Sequence, residues 1–435
     1  MNTFITKTNI TGIKNLSEPI SLEFYKTNYG NKIIIEKNNI KAIYGANGAG
    51  KSAIIHAYDI FEEIVSKKGQ LFTEDFARKL DELVNKETKI FSIDISFFVY
   101  DDQFNIFGEY NHAIKVGKDD FGYNIISEQL KLIKKKRETV IISTNQGLIV
   151  ESILGKKFND FIVKQCTKRS VIDLFTDLFF MKDPILNLKD IEQLQPFLKF
   201  NNNLVIQTVK EDNHLGFVYR KHHSKNEESW DKYSNDLYNW IKKSRNLGLS
   251  SYSFYIPAEQ IEEFESYIKG LERFIKIFKP NLIRIDISQR KQNNNEFCIE
   301  PHFIYEKNTI HLEFESAGIK KLVNLYQLFC DKEEGKTIII DELDANINDV
   351  YLMKILEYFN NNPTGQMIFT THNVTPMYVL AKNKNAIDFI TMSGKISSWV
   401  RKGNYSPINI YQNGYIKGLP FNIYESDFIG IFSNE

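Results

Sequence analysis

Gly45-Ala46-Asn47-Gly48-Ala49-Gly50-Lys51-Ser52 stands between the β-branched run Ile40 to Tyr44 and a segment in which Ile54, Ile55, Tyr58, Phe61, Ile64 and Val65 recur at helical spacing. The octet fits G-x-x-x-x-G-K-[ST], and strand, glycine turn and helix come in the order this pattern needs. Glycines let the backbone curl so that successive N–H groups and the helix N-terminus face phosphates. Lys51 then neutralises β- and γ-phosphate charge, and the Ser52 hydroxyl ligates magnesium. Gly45, Ala46, Asn47, Gly48, Ala49, Gly50, Lys51 and Ser52 are therefore the expected nucleotide-binding loop.

Far downstream, Thr337-Ile338-Ile339-Ile340-Asp341-Glu342 is an apolar strand ending in adjacent carboxylates. Asp341 can reach the magnesium shell while Glu342 faces the γ-phosphate and polarises a water. The next apolar strand, Gln366 to Thr370, leads into Thr371-His372-Asn373, which places His372 where it can sense the γ-phosphate. Between the loop and the acids, Ser316-Ala317-Gly318 opens an amphipathic helix: read alone it is a helix cap, and its free N–H groups and dipole also suit an anion.

The surrounding pattern is α/β. Helix Ile319 to Phe329, strand Thr337 to Ile340, helix Val350 to Phe359 and strand Met367 to Thr370 alternate as in a parallel sheet flanked by helices. Upstream, Ile33-Ile34-Ile35, Ile40 to Tyr44 and Phe91 to Tyr100 read as strands, and Tyr110, Ile114, Tyr123 and Ile125 as further antiparallel strands. Residues 1–136 form the N-terminal part of the expected domain, 137–257 a largely helical insertion, and 258–435 the C-terminal part. In the insertion, Val171 to Met181 and Trp230 to Ile241 read as aromatic-rich helices. After it, Ile261 to Phe278 is an amphipathic helix ended by Pro280.

Composition narrows the classes further. With 435 residues, 42% hydrophobic and 25% charged, the chain is globular and long enough for two or three domains, not a disordered tail, a collagen or a membrane bundle. Lysine plus arginine total 55, as do aspartate plus glutamate, so no global charge draws the chain to nucleic acid or anionic lipid. Cys166, Cys298 and Cys330 form no CxxC pair, which fits a reducing cytoplasm. Met1 to Lys7 has no apolar core, and Asp173 and Asp177 interrupt Val171 to Met181, so neither a signal peptide nor a membrane span is expected. Gln103 fits either a magnesium-contacting glutamine or a solvated turn, and Lys134 to Arg137 and Arg220 to His223 fit either phosphate contacts or solvated faces.

Taken in chain order, the loop at 45–52, Glu315-Ser316-Ala317-Gly318-Ile319-Lys320-Lys321, Asp341-Glu342-Leu343-Asp344 and Thr371-His372-Asn373 resemble the ATP-binding-cassette ATPases of the structural-maintenance-of-chromosomes and RecF type. More narrowly they resemble the AAA-15/AAA-21 group of bacterial ATPases common in abortive-infection and anti-phage systems, as does the tail Tyr411 to Pro420. Asn346-Ile347-Asn348-Asp349 departs from the leucine-histidine-proline usual after the carboxylates.

The resemblance implies an ABC ATPase head, a mixed β lobe plus a parallel-sheet lobe, that hydrolyses ATP with Mg2+. It adds Ser316, Gly318 and Asp344 to the nucleotide-binding residues and makes Glu342, His372 and Lys51 the catalytic set, with Ser52 and Asp341 on the metal. It further implies a homodimer or higher homo-oligomer in which each ATP is sandwiched between the loop of one head and Ser316 and Gly318 of the other. The function expected is a cytoplasmic sensor or scaffold in anti-phage defence that holds and releases a separately encoded effector, such as a Toprim-type nuclease, on a phage trigger. A DNA-clamping repair ATPase is the alternative, and a transporter subunit a third reading. Direct DNA binding stays open, and no membrane partner is expected.

Overall fold

The computed structural model describes residues 1–25, 32–36, 38–134, 137–163, 165–208, 254–258, 261–293, 296–383, 385–399, 406–413 and 431. In chain order the elements are β1 (Asn2–Thr11), β2 (Ile20–Glu23), β3 (Ile40–Gly45), α1 (Lys51–Ser66), α2 (Glu74–Leu83), β4 (Ile90–Tyr100), β5 (Ile106–Asp119), β6 (Gly122–Lys134), β7 (Arg137–Asn145) and β8 (Leu148–Ser152). There follow α3 (Lys156–Ile162), α4 (Val171–Phe180), α5 (Leu188–Asn202), β9 (Leu204–Gln207), β10 (Phe254–Pro257), α6 (Ile261–Phe278), β11 (Leu282–Asn293), β12 (Glu296–Tyr305) and β13 (Thr309–His311). The last are α7 (Ala317–Glu333), β14 (Thr337–Ile340), α8 (Asp349–Asn361), β15 (Gln366–Thr370), α9 (Pro376–Leu380), β16 (Ile387–Ile390), β17 (Ile396–Ser398) and α10 (Pro407–Gln412).

Three sheets organise these elements. A 6-stranded sheet runs β17-β16-β3-β15-β14-β9, parallel except for β17. An antiparallel 7-stranded sheet runs β2-β1-β4-β5-β6-β7-β8, and a smaller one joins β10, β12 and β11, with β13 on β12.

The parallel strands are buried on both faces, as their continuous apolar runs require. Ile43, Ile339, Ile368 and Ile390 turn toward the core shared with α1 and the 7-stranded sheet. Their neighbours Ala42, Tyr44, Ile338, Ile340, Phe369 and Phe389 turn to a second core that includes residues of α6, α7 and α8. Each buried isoleucine or phenylalanine contributes roughly 1.5–3 kcal/mol, so the sheet is clamped from both sides and its carboxyl ends are fixed relative to one another. In register, Ile340 pairs Phe369, Thr370 pairs Ile43, and Ile390 pairs Gly45. The segments that leave β3, β14 and β15 therefore emerge on one edge, where parallel α/β sheets present their ligand sites.

The boundary expected at 136/137 is corrected. Lys134 pairs Arg137 in a β6–β7 ladder, and β7 and β8 extend the antiparallel sheet, so 137–152 continues the N-terminal lobe rather than starting a helical insertion. β7 buries only Ile141, Ile142 and Thr144, too short a pattern to read beside the basic run that precedes it. Helices α3, α4 and α5 do follow, but they pack into the same core as α1, and β9 joins the parallel sheet beside β14. Trp230 to Ile241 lies outside the described residues.

Ile33-Ile34-Ile35 is not a strand either. Ile33 and Ile35 are buried as anchors, but the Ile34 N–H donates to the Tyr25 hydroxyl and its side chain is 54% exposed. Among the described residues no helix is long and apolar enough to cross a membrane.

Candidate nucleotide site

The loop after β3 closes because its glycines do what other residues cannot. Gly48 and Gly50 have φ of 79° and 111°, a region that L side chains enter at a cost. A Cβ on Gly45 would stand 2.6 Å from Ile390 Cγ2, and one on Gly50 2.8 Å from Leu16 Cδ2. Asn15 Nδ2 donates to the Gly48 carbonyl at 2.9 Å, which ties the loop's crest to the first lobe. Ala46 and Ala49 are buried, while Asn47 and Gly48 are exposed.

Lys51 and Ser52 open α1. The Lys51 ammonium donates to the carbonyls of Gly45 at 2.8 Å and Ala46 at 3.0 Å, with only 6% of the residue exposed. Lost hydration pushes its pKa down to about 8, although Asp341, Glu342 and Asp344 pull the other way. The Ser52 hydroxyl donates to Asp341 Oδ1 at 3.3 Å.

The acidic turn faces this loop from the end of β14. Asp341 is buried, and its Oδ1 also accepts the Thr370 hydroxyl at 2.5 Å. Thr370 Oγ1 in turn accepts the Glu342 N–H at 2.9 Å. Glu342 is a non-glycine residue at φ 49°. Asp344 Oδ1 is buried without a hydrogen-bond partner, and Asp344 is the second cause, after burial, that raises the Tyr44 phenol well above its usual range.

His372 stands exposed just past β15. Its imidazole is held below the usual histidine range by lost hydration first and the Lys51 ammonium next, against Asp344, Glu342 and Asp341. Lys51, Ser52, Asp341, Glu342, Asp344 and His372 thus meet at one edge of the sheet.

Ser316 and Gly318 are placed differently. Ser316 caps α7 by accepting the Ile319 N–H at 3.4 Å, and Glu315 holds the turn by accepting Tyr305 Oη at 2.6 Å and the Ser316 N–H at 3.2 Å. A Cβ on Gly318 would lie 3.0 Å from the Asn346 carbonyl oxygen, so the helix start packs on the segment after the acids. Among the described residues no hydrogen bond or ion pair joins 316–318 to 45–52. Ser316 and Ala317 are exposed, and Phe314 beside them is 76% exposed.

Gln103 is exposed in a turn closed by its own N–H to Asp101 Oδ1, the solvated-turn arrangement. Sequence reasoning missed Thr370. Its only sequence signal is a hydroxyl at the end of a buried apolar strand, next to the strand that carries the acids.

The donor set suits Mg2+ held with phosphates. A hydroxyl and a carboxylate, both hard oxygen donors, converge between Ser52 and Asp341, and the partnerless Asp344 oxygen lies in the field of the Lys51 ammonium. Such a cation would be held by Ser52 and Asp341 and would neutralise phosphate charge.

The parallel sheet thus carries a phosphate-type loop and an acidic turn at the carboxyl ends of its strands, the arrangement of a nucleotide site in an α/β fold. Residues 186–375, less than half of the chain, match the family model described as an AAA domain, putative AbiEii toxin, Type IV TA system. Among solved structures the chain is similar to an Smc head domain with an extended coiled coil, bound to the C-terminal domain of ScpA, derived from Pyrococcus furiosus. That similarity has 17% identity, 91% of this chain and 96% of the other covered, and a TM-score of 0.42. It is also similar to the SMC head domain from Thermotoga maritima, at 13% identity, 91% and 99% coverage and a TM-score of 0.34. No curated protein matches the chain.

Proposed function

We propose that the chain binds and hydrolyses ATP, with Lys51 and the 45–52 amides on the phosphates and Glu342 polarising the attacking water. The observation that carries this reading is the meeting of Ser52 and Asp341 at 3.3 Å, with Glu342 on the adjoining residue and Lys51 buried beside them. His372, exposed at the mouth and electrostatically tied to Lys51, suits the sensing of the γ-phosphate.

Ser316 and Gly318 make no bond to the chain's own loop, and their exposed turn suits the completion of a second copy's site. Two heads would then enclose two ATP molecules, and hydrolysis would release them. The further reading is a sensor or scaffold in anti-phage defence, comparable to the ATPase subunit of the PARIS system, that holds a separately encoded effector such as a Toprim-type nuclease. The matched family description, with its toxin and toxin–antitoxin terms, supports that direction.

The ATPase reading is tested by phosphate release from purified protein with ATP and Mg2+. Turnover lost in both Lys51→Ala and Glu342→Gln is expected, and turnover retained in either contradicts the assignment. The defence reading is tested by purifying the chain from its native host: a co-purifying nuclease supports it, and a permease or recombination protein in its place contradicts it.

A further inference from the structure

A left-handed backbone at a non-glycine residue costs about 1–2 kcal/mol, so the turn that sets Glu342 at φ 49° must be held from outside. Three hydrogen bonds converge on it from a single residue. The Glu342 N–H donates to Thr370 Oγ1 at 2.9 Å, the Thr370 hydroxyl donates to Asp341 Oδ1 at 2.5 Å, and the Leu343 N–H donates to the Thr370 carbonyl at 3.1 Å.

A hydroxyl has one proton. With that proton given to Asp341, the oxygen is left to accept from Glu342, and the polarity of the chain Glu342 to Thr370 to Asp341 is fixed. Thr370 is 0% exposed, so no bulk water replaces its hydroxyl. The parallel ladder explains the placement: Ile340 pairs Phe369, so Thr370 is the next residue past the point where β14 turns, and its other neighbour is Ile43 on β3.

We propose that Thr370 is a positioning residue: it holds Glu342 in the left-handed conformation that aims its carboxylate into the phosphate site, and it ties the Glu342 backbone N–H to the Asp341 carboxylate. The proposal rests on the reading of Glu342 as the water-polarising group, and it assigns Thr370 no contact with ATP. Valine at 370 keeps the branched shape and removes both donor and acceptor. Serine keeps the hydroxyl.

The test compares wild type, Thr370→Val and Thr370→Ser by steady-state ATP hydrolysis, by fluorescent ATP-analogue titration, and by amide hydrogen exchange of the 341–343 backbone without nucleotide. In Thr370→Val, kcat is expected to fall about tenfold or more, with nucleotide affinity within about threefold of wild type and the Glu342 amide deprotected. Thr370→Ser restores both. A Thr370→Val protein with near-wild-type kcat, or with an equally protected Glu342 amide, overturns the proposal. If the valine protein does not fold, a serine protein with as large a loss of kcat also overturns it, and a serine protein at wild-type rate beside a slow Thr370→Ala supports it. Absence of hydrolysis by wild type would defeat the functional reading, whereas the exchange experiment judges the hold of Thr370 on Glu342 by itself.

Discussion

Lys321, on the first turns of α7, donates its ammonium to the backbone carbonyl of Glu342 at 3.4 Å. Lys321 is 3% exposed, so this is an interior strut between the helix that starts at Ser316 and the acidic turn. Because Gly318 also packs on the Asn346 carbonyl, a push on the exposed residues Phe314, Ser316 and Ala317 reaches the 342–346 segment through two contacts. Lys321→Met, which keeps the stem and removes the charge, is expected to leave ATP affinity intact and slow hydrolysis by roughly fivefold, the equivalent of about 1 kcal/mol. Parallel titration and turnover assays check it.

Lys51→Ala and Glu342→Gln should separate. The first removes the charge that compensates the phosphates and is expected to abolish nucleotide binding. The second removes only the water-polarising carboxylate and is expected to bind ATP normally while hydrolysis falls by at least about a hundredfold. Nucleotide titration beside phosphate release distinguishes them.

The lowered Lys51 pKa gives ATP binding a proton linkage of definite sign. In the free protein the amine is charged below about pH 8 and loses its proton as pH rises through that value. Bound phosphates favour the ammonium, so binding above pH 8 must take up a proton, and affinity falls as pH rises. Calorimetry in buffers of different ionisation enthalpy should find proton uptake near zero at pH 7 and approaching one per ATP at pH 9.

Gly50→Ala tests the loop itself. Its φ of 111° and the 2.8 Å approach of a Cβ to Leu16 Cδ2 together predict a loss of about 1–3 kcal/mol and a displaced loop. Denaturant unfolding measures the first, and weakened nucleotide binding by the folded protein reports the second.

The strand-turn-helix of β3 and α1 was legible because its signals are local. Helical period and glycine turn lie within a short stretch, and the helix expected from Ser52 spans Lys51–Ser66. The same holds for Ile261 to Phe278 and for β14 and β15, whose apolar runs are bounded by polar turns. Thr370 was not legible, because its meaning comes from the register between two strands separated by α8. β7 and β8 were hidden for a related reason: they are outer strands of the antiparallel sheet, Leu148 and Val150 are 66% and 67% exposed, and so alternation is weak. Ile33-Ile34-Ile35 misled in the opposite direction, since β-branched residues alone do not make a strand without a partner. The tail from 414 to 420 and the basic cluster Arg220 to His223 lie outside the described residues.

The central claim, that each ATP site takes its loop from one copy and its Ser316 turn from another, is tested most directly by mixing two inactive chains. Lys51→Ala lacks phosphate compensation but keeps Ser316; Ser316→Arg keeps Lys51 but blocks the partner-facing turn. In a random mixture about half of the dimers are mixed, each with one intact composite site, so up to about a quarter of wild-type ATP hydrolysis is expected to return. Hydrolysis by wild type with none recovered in the mixture, or full activity of Ser316→Arg alone, would contradict the account.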